Sequence, residues 1–214
     1  MTPKTVPRSK IFIVSAPSGC GKTTLCKKLL KDKFKLHRSV SITTRPPRRG
    51  ERNGADYFFV SAEEFIRMID AKELLEYEEN FGFLYGTPKK AVEGLLQKGG
   101  SVLLSIDVKG AMNVRKSYPQ NSVLIFVMPP SMEELKKRLE SREADTAKAI
   151  LNRLKVAKQE IACKDKYDYV VVNDSLDTAY KKLKEIILLE GFTSPSNPKN
   201  SGMVLLRASN VKRQ

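Results

Sequence analysis

The sequence predicts an α/β fold: a layered sandwich around a mostly parallel central sheet, with a small β-rich subdomain set into it. Three observations carry this. The continuous apolar runs IFIVS (11–15), SVLLSID (101–107), SVLIFVM (122–128) and YDYVVVN (167–173) have the character of strands buried on both faces. Segments with apolar residues at helical spacing alternate with them, the order expected of an α/β architecture. Residues 39–87 break that rhythm with a polar, β-rich stretch, which marks the subdomain.

The elements follow in order. After the strand at 11–15, KTTLCKKLLK (22–31) places Leu25, Leu29 and Leu30 on one side of a helix. SVSIT (39–43) and DYFFV (56–60) read as strands around the polar loop TRPPRRGERNGA. Ser61 and Glu64 form a capping box that opens a helix to about Asp70. LLEYEEN and FGFLYG suggest short antiparallel strands with a tight turn near Gly82. Thr87-Pro88 reads as an N-cap with proline at the first helical position, in a helix that ends at Gly99-Gly100. Ser131 and Glu134 make a second capping box before the basic helix MEELKKRLESR, and a long helical pattern runs from Thr146 to about Lys164. SLDTAYKKLKEIILLE closes the fold as a helix. Residues 1–9 read as a flexible N-terminus. From Gly191 the composition turns to Gly, Ser, Pro, Asn and Lys, so 191–214 reads as a flexible basic tail.

The bulk numbers exclude several classes. At 214 residues the chain can bury one good-sized core. No apolar run approaches a bilayer span, and the basic, proline-broken N-terminus lacks the pattern of a secretory signal, which together predict a cytoplasmic protein. Three cysteines (Cys20, Cys26, Cys163) without a CxxC pair, and a lone His37, argue against a disulfide framework or a structural zinc site. Cys26 and Cys163 are expected as small buried hydrophobes, and His37 as a surface residue before a strand. The net charge of +15 invites a nucleic-acid reading, but seven of those charges sit in the two termini, which carry no acid. Much of the rest clusters at Arg45, Arg48, Arg49 and Arg52 and on the LKKRLESR face, which small anionic substrates explain as well as a duplex would. Neither a membrane nor a nucleic-acid partner is expected, and the sequence leaves the oligomeric state open.

The loop SAPSGCGKTTL carries the first chemistry. A phosphate-binding loop reads G-x-x-x-x-G-K-[ST]. Here Gly21, Lys22 and Thr23 fill the last places and Ala16 stands at the first. The loop runs through Ala16, Pro17, Ser18, Gly19, Cys20, Gly21 and on to Thr24, and such a loop curls the backbone N–H groups of its non-proline residues around a phosphate at the positive end of the following helix. Lys22 would reach the β- and γ-phosphates and the Thr23 hydroxyl would bind Mg²⁺. Ala16 is tolerable at the strand exit if its φ is negative.

The tract SITTRPPRRGERNGADYFFV (41–60), taken with SAPSGCGKT, closely resembles guanylate kinases, and the likeness continues through LLEYEENFGFLYGTP, LLSIDVKGA, PPSMEELKKRLESR and VVVND, over about residues 10–190. The resemblance implies a P-loop kinase three-layer sandwich: core segments 10–38, 88–130 and 165–190, a GMP-binding subdomain at about 39–87, and a helical lid at about 131–164. It implies transfer of the ATP γ-phosphoryl group to GMP with Mg²⁺ and no tightly bound organic cofactor, with dGMP left open as a second acceptor. By the same resemblance Arg45, Arg48, Tyr57 and Tyr85 would hold the GMP phosphate. Glu76, Ser41, Thr87 and Asp107 would recognise the base. Arg138, Arg142 and Arg153 would join Lys22 and Arg45 in stabilising the moving phosphoryl group, and Asn173 would face adenine. The residue types suit these tasks. Arginine forks match phosphate oxygens, and a carboxylate accepts from guanine N1–H and its 2-amino group while facing the lone pair of adenine N1.

The family pattern Asp-x-Asp appears here as Ser105-Ile106-Asp107, which removes a carboxylate near the GMP and metal region. A scaffold relative that binds phosphopeptides would have lost the Gly21-Lys22-Thr23 loop, which is intact. Cys20 is expected as a thiol beside the phosphates whose alkylation blocks ATP.

Overall fold

In strand β1 (Ile11–Ser15) every residue is buried, and its alternation divides the molecule. Phe12 and Val14 point into one core cluster, Ile11 and Ile13 into another on the opposite face of the sheet. The computed structural model describes residues 9–32, 35–80, 82–141 and 146–192. β1 lies at the centre of a five-stranded sheet with β2 (Leu36–Arg38), β7 (Ser101–Ser105), β8 (Ser122–Met128) and β9 (Tyr169–Val172), in the order β2-β7-β1-β8-β9. Every pairing in it is parallel, as the continuously apolar strands predict.

Helices cover both faces. The Phe12 side receives Leu25 and Leu29 of α1 (Lys22–Leu29), Leu135 and Leu139 of α5 (Met132–Glu140), Ala157 of α6 (Ala147–Ile161), and Leu183 and Ile187 of α7 (Leu176–Phe192). The Ile11 side receives Val92 of α3 (Lys89–Gln97) and Ala111 and Val114 of α4 (Val108–Ser117). The three-layer α/β sandwich is therefore as expected. Each fully buried Leu, Ile or Phe in these clusters contributes roughly 1.5–3 kcal/mol of transfer free energy.

A second, four-stranded sheet forms the subdomain, in the order β4-β3-β6-β5: β3 (Ile42–Thr43), β4 (Phe58–Phe59), β5 (Leu74–Asn80) and β6 (Phe83–Pro88). The β5–β6 hairpin is antiparallel as expected, and its register shifts between Leu74 and Glu76. The strands expected at 39–43 and 56–60 shrink to two residues each, and they pair in parallel. α2 (Ala62–Asp70) is capped by the Ser61 hydroxyl, which accepts from the Glu64 N–H, and Ser131 caps α5 in the same way.

Five points differ from the sequence reading. Thr87 is not an N-cap: Thr87 and Pro88 complete β6, and α3 begins at Lys89 with Pro88 before it. The helix α4 was not expected, nor was the edge strand β2, in which His37 sits exposed. α7 runs to Phe192, past the change of composition at Gly191, which is buried where an added Cβ would touch the Phe12 ring. Cys163 is half-buried rather than buried, whereas Cys26 is buried as expected. Residues 1–8 and 193–214, most of the two expected flexible termini, lie outside the described residues. No helix among the described residues is long and apolar enough to cross a membrane.

Candidate active site

Between β1 and α1 the chain turns through residues 16–21. Gly19 (φ 93°) and Gly21 (φ 79°) adopt the left-handed conformation that disfavours any side chain, and a Cβ on Gly21 would also stand 2.7 Å from Asn173 Nδ2. Ala16 does not share that need. It packs in the core, and among the described residues Lys72 is the one non-glycine with positive φ. α1 then starts with no side-chain cap and no acid in its first turn, so its leading N–H groups and dipole are left uncompensated, the electrostatics of an anion site. Lys22 Nζ donates to the Ile106 carbonyl at 3.0 Å. Burial pushes its ammonium below the ordinary lysine value, opposed by Cys26, Asp107, Glu160 and Glu76. A cavity of about 270 Å³ opens over this loop, closed on its far side by Arg153, Val156 and Glu160 of α6.

A second cavity, about 370 Å³, lies between α1 and the subdomain, with Ser41, Arg45, Arg48, Tyr57, Tyr85 and Ser105 in its walls. Arg45 is 8% exposed, and its position is fixed by several contacts. Nη2 donates to both Glu51 carboxylate oxygens at 2.9 Å, and Nη1 donates to the Pro46 carbonyl at 2.7 Å. The guanidinium also lies 5.5 Å from the Tyr57 ring centroid and 5.8 Å from that of Phe59. Glu51 in turn accepts from the Arg48 N–H at 2.8 Å, so one acid ties the Arg45 side chain to the backbone at Arg48. Glu51→Gln is expected to raise KM for the phosphate-bearing acceptor about tenfold by removing the charge from the carboxylate that Arg45 Nη2 holds, with KM for the donor unchanged in steady-state assays.

A third cavity, about 190 Å³, is lined by Glu76, Asp107, Ser41, Tyr85 and Ser105. The register shift of the β5–β6 pair falls directly before Glu76, at the point where the strand enters the cavity wall. Its carboxylate, 7% exposed, accepts from the Thr87 hydroxyl at 2.5 Å. Burial pushes Glu76 up to about 7. The Thr87 hydrogen bond and the charge of Lys22 oppose this, while Asp107 and Glu78 add to it. The three cavities share walls. Thr23 and Arg48 face both the first and second, and Lys22, Asn80 and Asp107 face both the first and third. One continuous cleft therefore has a cationic loop at one end and a buried acid at the other.

Not every residue read from the sequence faces this cleft. Cys20 keeps its backbone in the loop wall, but its side chain is wholly buried in the core cluster with Leu135 and Leu139, so the expected thiol beside the phosphates is not there to be alkylated. Asn173 is also buried. Its Nδ2 donates to the Cys20 carbonyl at 2.8 Å, which braces the loop from behind rather than presenting the amide to a base. Thr87 is fully buried and touches Glu76 instead of the cavity. Arg138 donates to Glu134 on its own helix and to the Asn173 carbonyl, away from the three cavities, and Arg142 lies outside the described residues. Arg49, given no role by the resemblance, lines the second cavity while remaining exposed.

Sequence reasoning missed Glu51 and Glu160. The signal for Glu51 was its place six residues after Arg45 in an otherwise basic loop. Glu160 shares a helical face with Arg153 and Val156 at spacings of seven and four, and burial pushes it up to about 7 against the pull of Lys22. Burial pushes the Cys26 thiol above its ordinary value, opposed by Lys22, Ser105 and Arg38.

The model of the guanylate kinase family matches residues 8–190. The chain belongs to the guanylate kinase family. It is 46% identical to the guanylate kinase of Wolbachia from Brugia malayi, over 83% of this chain and 91% of that one. It is 47% identical to the guanylate kinase of Desulfitobacterium hafniense, over 84% of this chain and 90% of its relative. Among solved structures it resembles the guanylate kinase of Anaplasma phagocytophilum, with a TM-score of 0.75 and 38% identity over 88% and 89% of the two chains. As a guanylate kinase it is a nucleoside monophosphate kinase.

Proposed function

We propose that the three cavities are the donor, acceptor-phosphate and base sites of an enzyme that transfers the γ-phosphoryl group of ATP to GMP, giving ADP and GDP. The observation that supports this assignment best is the shared wall: Thr23 and Arg48 stand where the loop cavity meets the arginine-lined cavity, the place for a phosphoryl group in flight.

In this reading the loop amides and Lys22 hold the ATP phosphates, and Arg45, Arg48, Tyr57 and Tyr85 hold the phosphate of GMP. With both anions fixed, the acceptor oxygen is delivered in line to the γ-phosphorus, and catalysis is chiefly positioning and charge stabilisation. Lys22 and Arg153 neutralise the charge that spreads over the equatorial oxygens. Closure of α5 and α6 over the loop would bring in Arg138 and exclude water. Thr23 fits Mg²⁺: its exposed side chain stands at the junction, and among the described residues no group of three His, Cys, Asp or Glu could hold a metal. The ion would take its other ligands from the phosphates and water, and it would supply charge neutralisation between donor and acceptor. Glu76 would accept from guanine N1–H and the 2-amino group, with Thr87 holding the carboxylate in place and Asp107 and Ser41 beside it. Two buried cysteines and a half-buried third suit a reducing cytoplasm.

Coupled measurement of ADP formation with GMP, AMP, CMP and UMP tests the assignment. GMP-dependent turnover is expected, with AMP weaker by about 10⁴-fold, because its N1 lone pair meets a carboxylate. Equal use of AMP would overturn the assignment.

A further inference from the structure

Helix α4 opens Val108-Lys109-Gly110, and glycine in a helix is less favourable than alanine. Nothing in the local backbone requires it, since Gly110 is not among the glycines with positive φ. Space requires it instead. A Cβ at position 110 would stand 2.4 Å from Glu76 Oε2, 3.1 Å from Glu76 Cδ and 3.4 Å from Asp107 Oδ1. Meanwhile the Gly110 N–H donates to Asp107 Oδ1 at 2.8 Å, which fixes the first turn of α4 against the same wall. The Glu76 carboxylate is thus held between the Thr87 hydroxyl and the bare Cα of Gly110.

We propose that Gly110 is a specificity-determining positioning residue: the absence of a side chain at the third position of α4 seats the Glu76 carboxylate where the guanine edge of GMP meets it. This rests on the assignment of Glu76 as the guanine acceptor. The argument turns on what yields when the space is filled. The atom in the way is the far end of a side chain, so an added methyl displaces the carboxylate and leaves the helix in place. Two-point recognition of N1–H and the 2-amino group depends on both carboxylate oxygens, so a shift of about 1 Å damages acceptor binding and leaves the donor loop intact.

The test compares Gly110→Ala, Glu76→Gln, Glu76→Asp and the double variant Gly110→Ala/Glu76→Asp in steady-state kinetics with ATP and GMP, together with melting temperatures. Gly110→Ala is expected to raise KM for GMP about 10- to 100-fold, with kcat and KM for ATP changed by less than about threefold. Shortening the acid withdraws it from the new methyl, so Glu76→Asp is expected to cost less in the Gly110→Ala background than in the parent. A glycine that is only a helix residue gives the opposite picture: a higher melting temperature on change to alanine, with KM for GMP within about twofold, overturns the proposal. Equal loss of ATP and GMP affinity also overturns it, as does strict additivity of the two substitutions. If Glu76→Gln raises KM for GMP while Gly110→Ala does not, only the seating role falls. If Glu76→Gln leaves KM for GMP unchanged, the assignment of Glu76 falls first.

Discussion

Glu76→Gln is expected to lower kcat/KM for GMP by about 10²- to 10³-fold while leaving KM for ATP unchanged. The amide keeps one acceptor oxygen for the 2-amino group or N1–H but turns a donor toward the other, so one of guanine's two protons meets an N–H. The parent enzyme carries a pH signature of the same contact. The Glu76 carboxyl is pushed up to about 7, chiefly by burial, and guanine requires its ionised form. Below pH 7, kcat/KM for GMP should therefore fall about tenfold per pH unit, with KM for ATP flat. Folding stability without nucleotide runs the other way. An acid whose pKa is raised on folding stabilises the native state fully below about pH 4.5, and that contribution is lost as pH rises through about 7. Glu160, also pushed up to about 7, adds in the same window. Glu76→Gln should remove part of this slope from a melting-temperature series between pH 5 and 8. A parent-like slope together with parent-like GMP kinetics would leave base recognition without its acid.

Lys22→Met should reduce kcat by about 10³-fold or more, with the fold retained. Methionine fills the aliphatic volume, but no cation is left against the equatorial oxygens of the transferring group. Its effect also reaches groups that never touch the phosphates. The charge of Lys22 restrains the upward shift of both Glu76 and Glu160, so its loss should move the acid limb of the GMP profile to higher pH. That second readout separates a missing charge from a damaged loop. A loop that has merely unravelled lowers ATP affinity at every pH and leaves the GMP limb in place.

The phosphate loop was legible in the sequence because its requirements are local: positive φ at Gly19 and Gly21, then a helix start with no acid near it. The buried strands were legible because a parallel sheet needs continuous apolar runs. α4 was not, since its apolar residues are few and its start reads as the polar end of a strand. The direction of a loop side chain is set by packing that spacing does not encode. Cys20 turns inward because the left-handed glycines on either side of it turn the backbone, and its small side chain then fills core space near Leu135 and Leu139. Thr87 looked like a cap because Thr-Pro usually opens a helix, yet here its hydroxyl has a stronger partner eleven residues back, across the hairpin. Glu51 and Glu160 gain their meaning only from what the fold places opposite them.

The end of β7 connects the two halves of the site. In three successive residues, Ser105 lines the second cavity, the Ile106 carbonyl holds Lys22, and the Asp107 carboxylate caps α4 beside Glu76. On the assignment proposed above, the span between the two nucleotides would be set by a tripeptide leaving β7, the interior strand next to the central β1 of the five-stranded parallel sheet. The part of the enzyme that must act as a ruler is cut from its least deformable element, and the surfaces that adapt to each substrate are mounted around it.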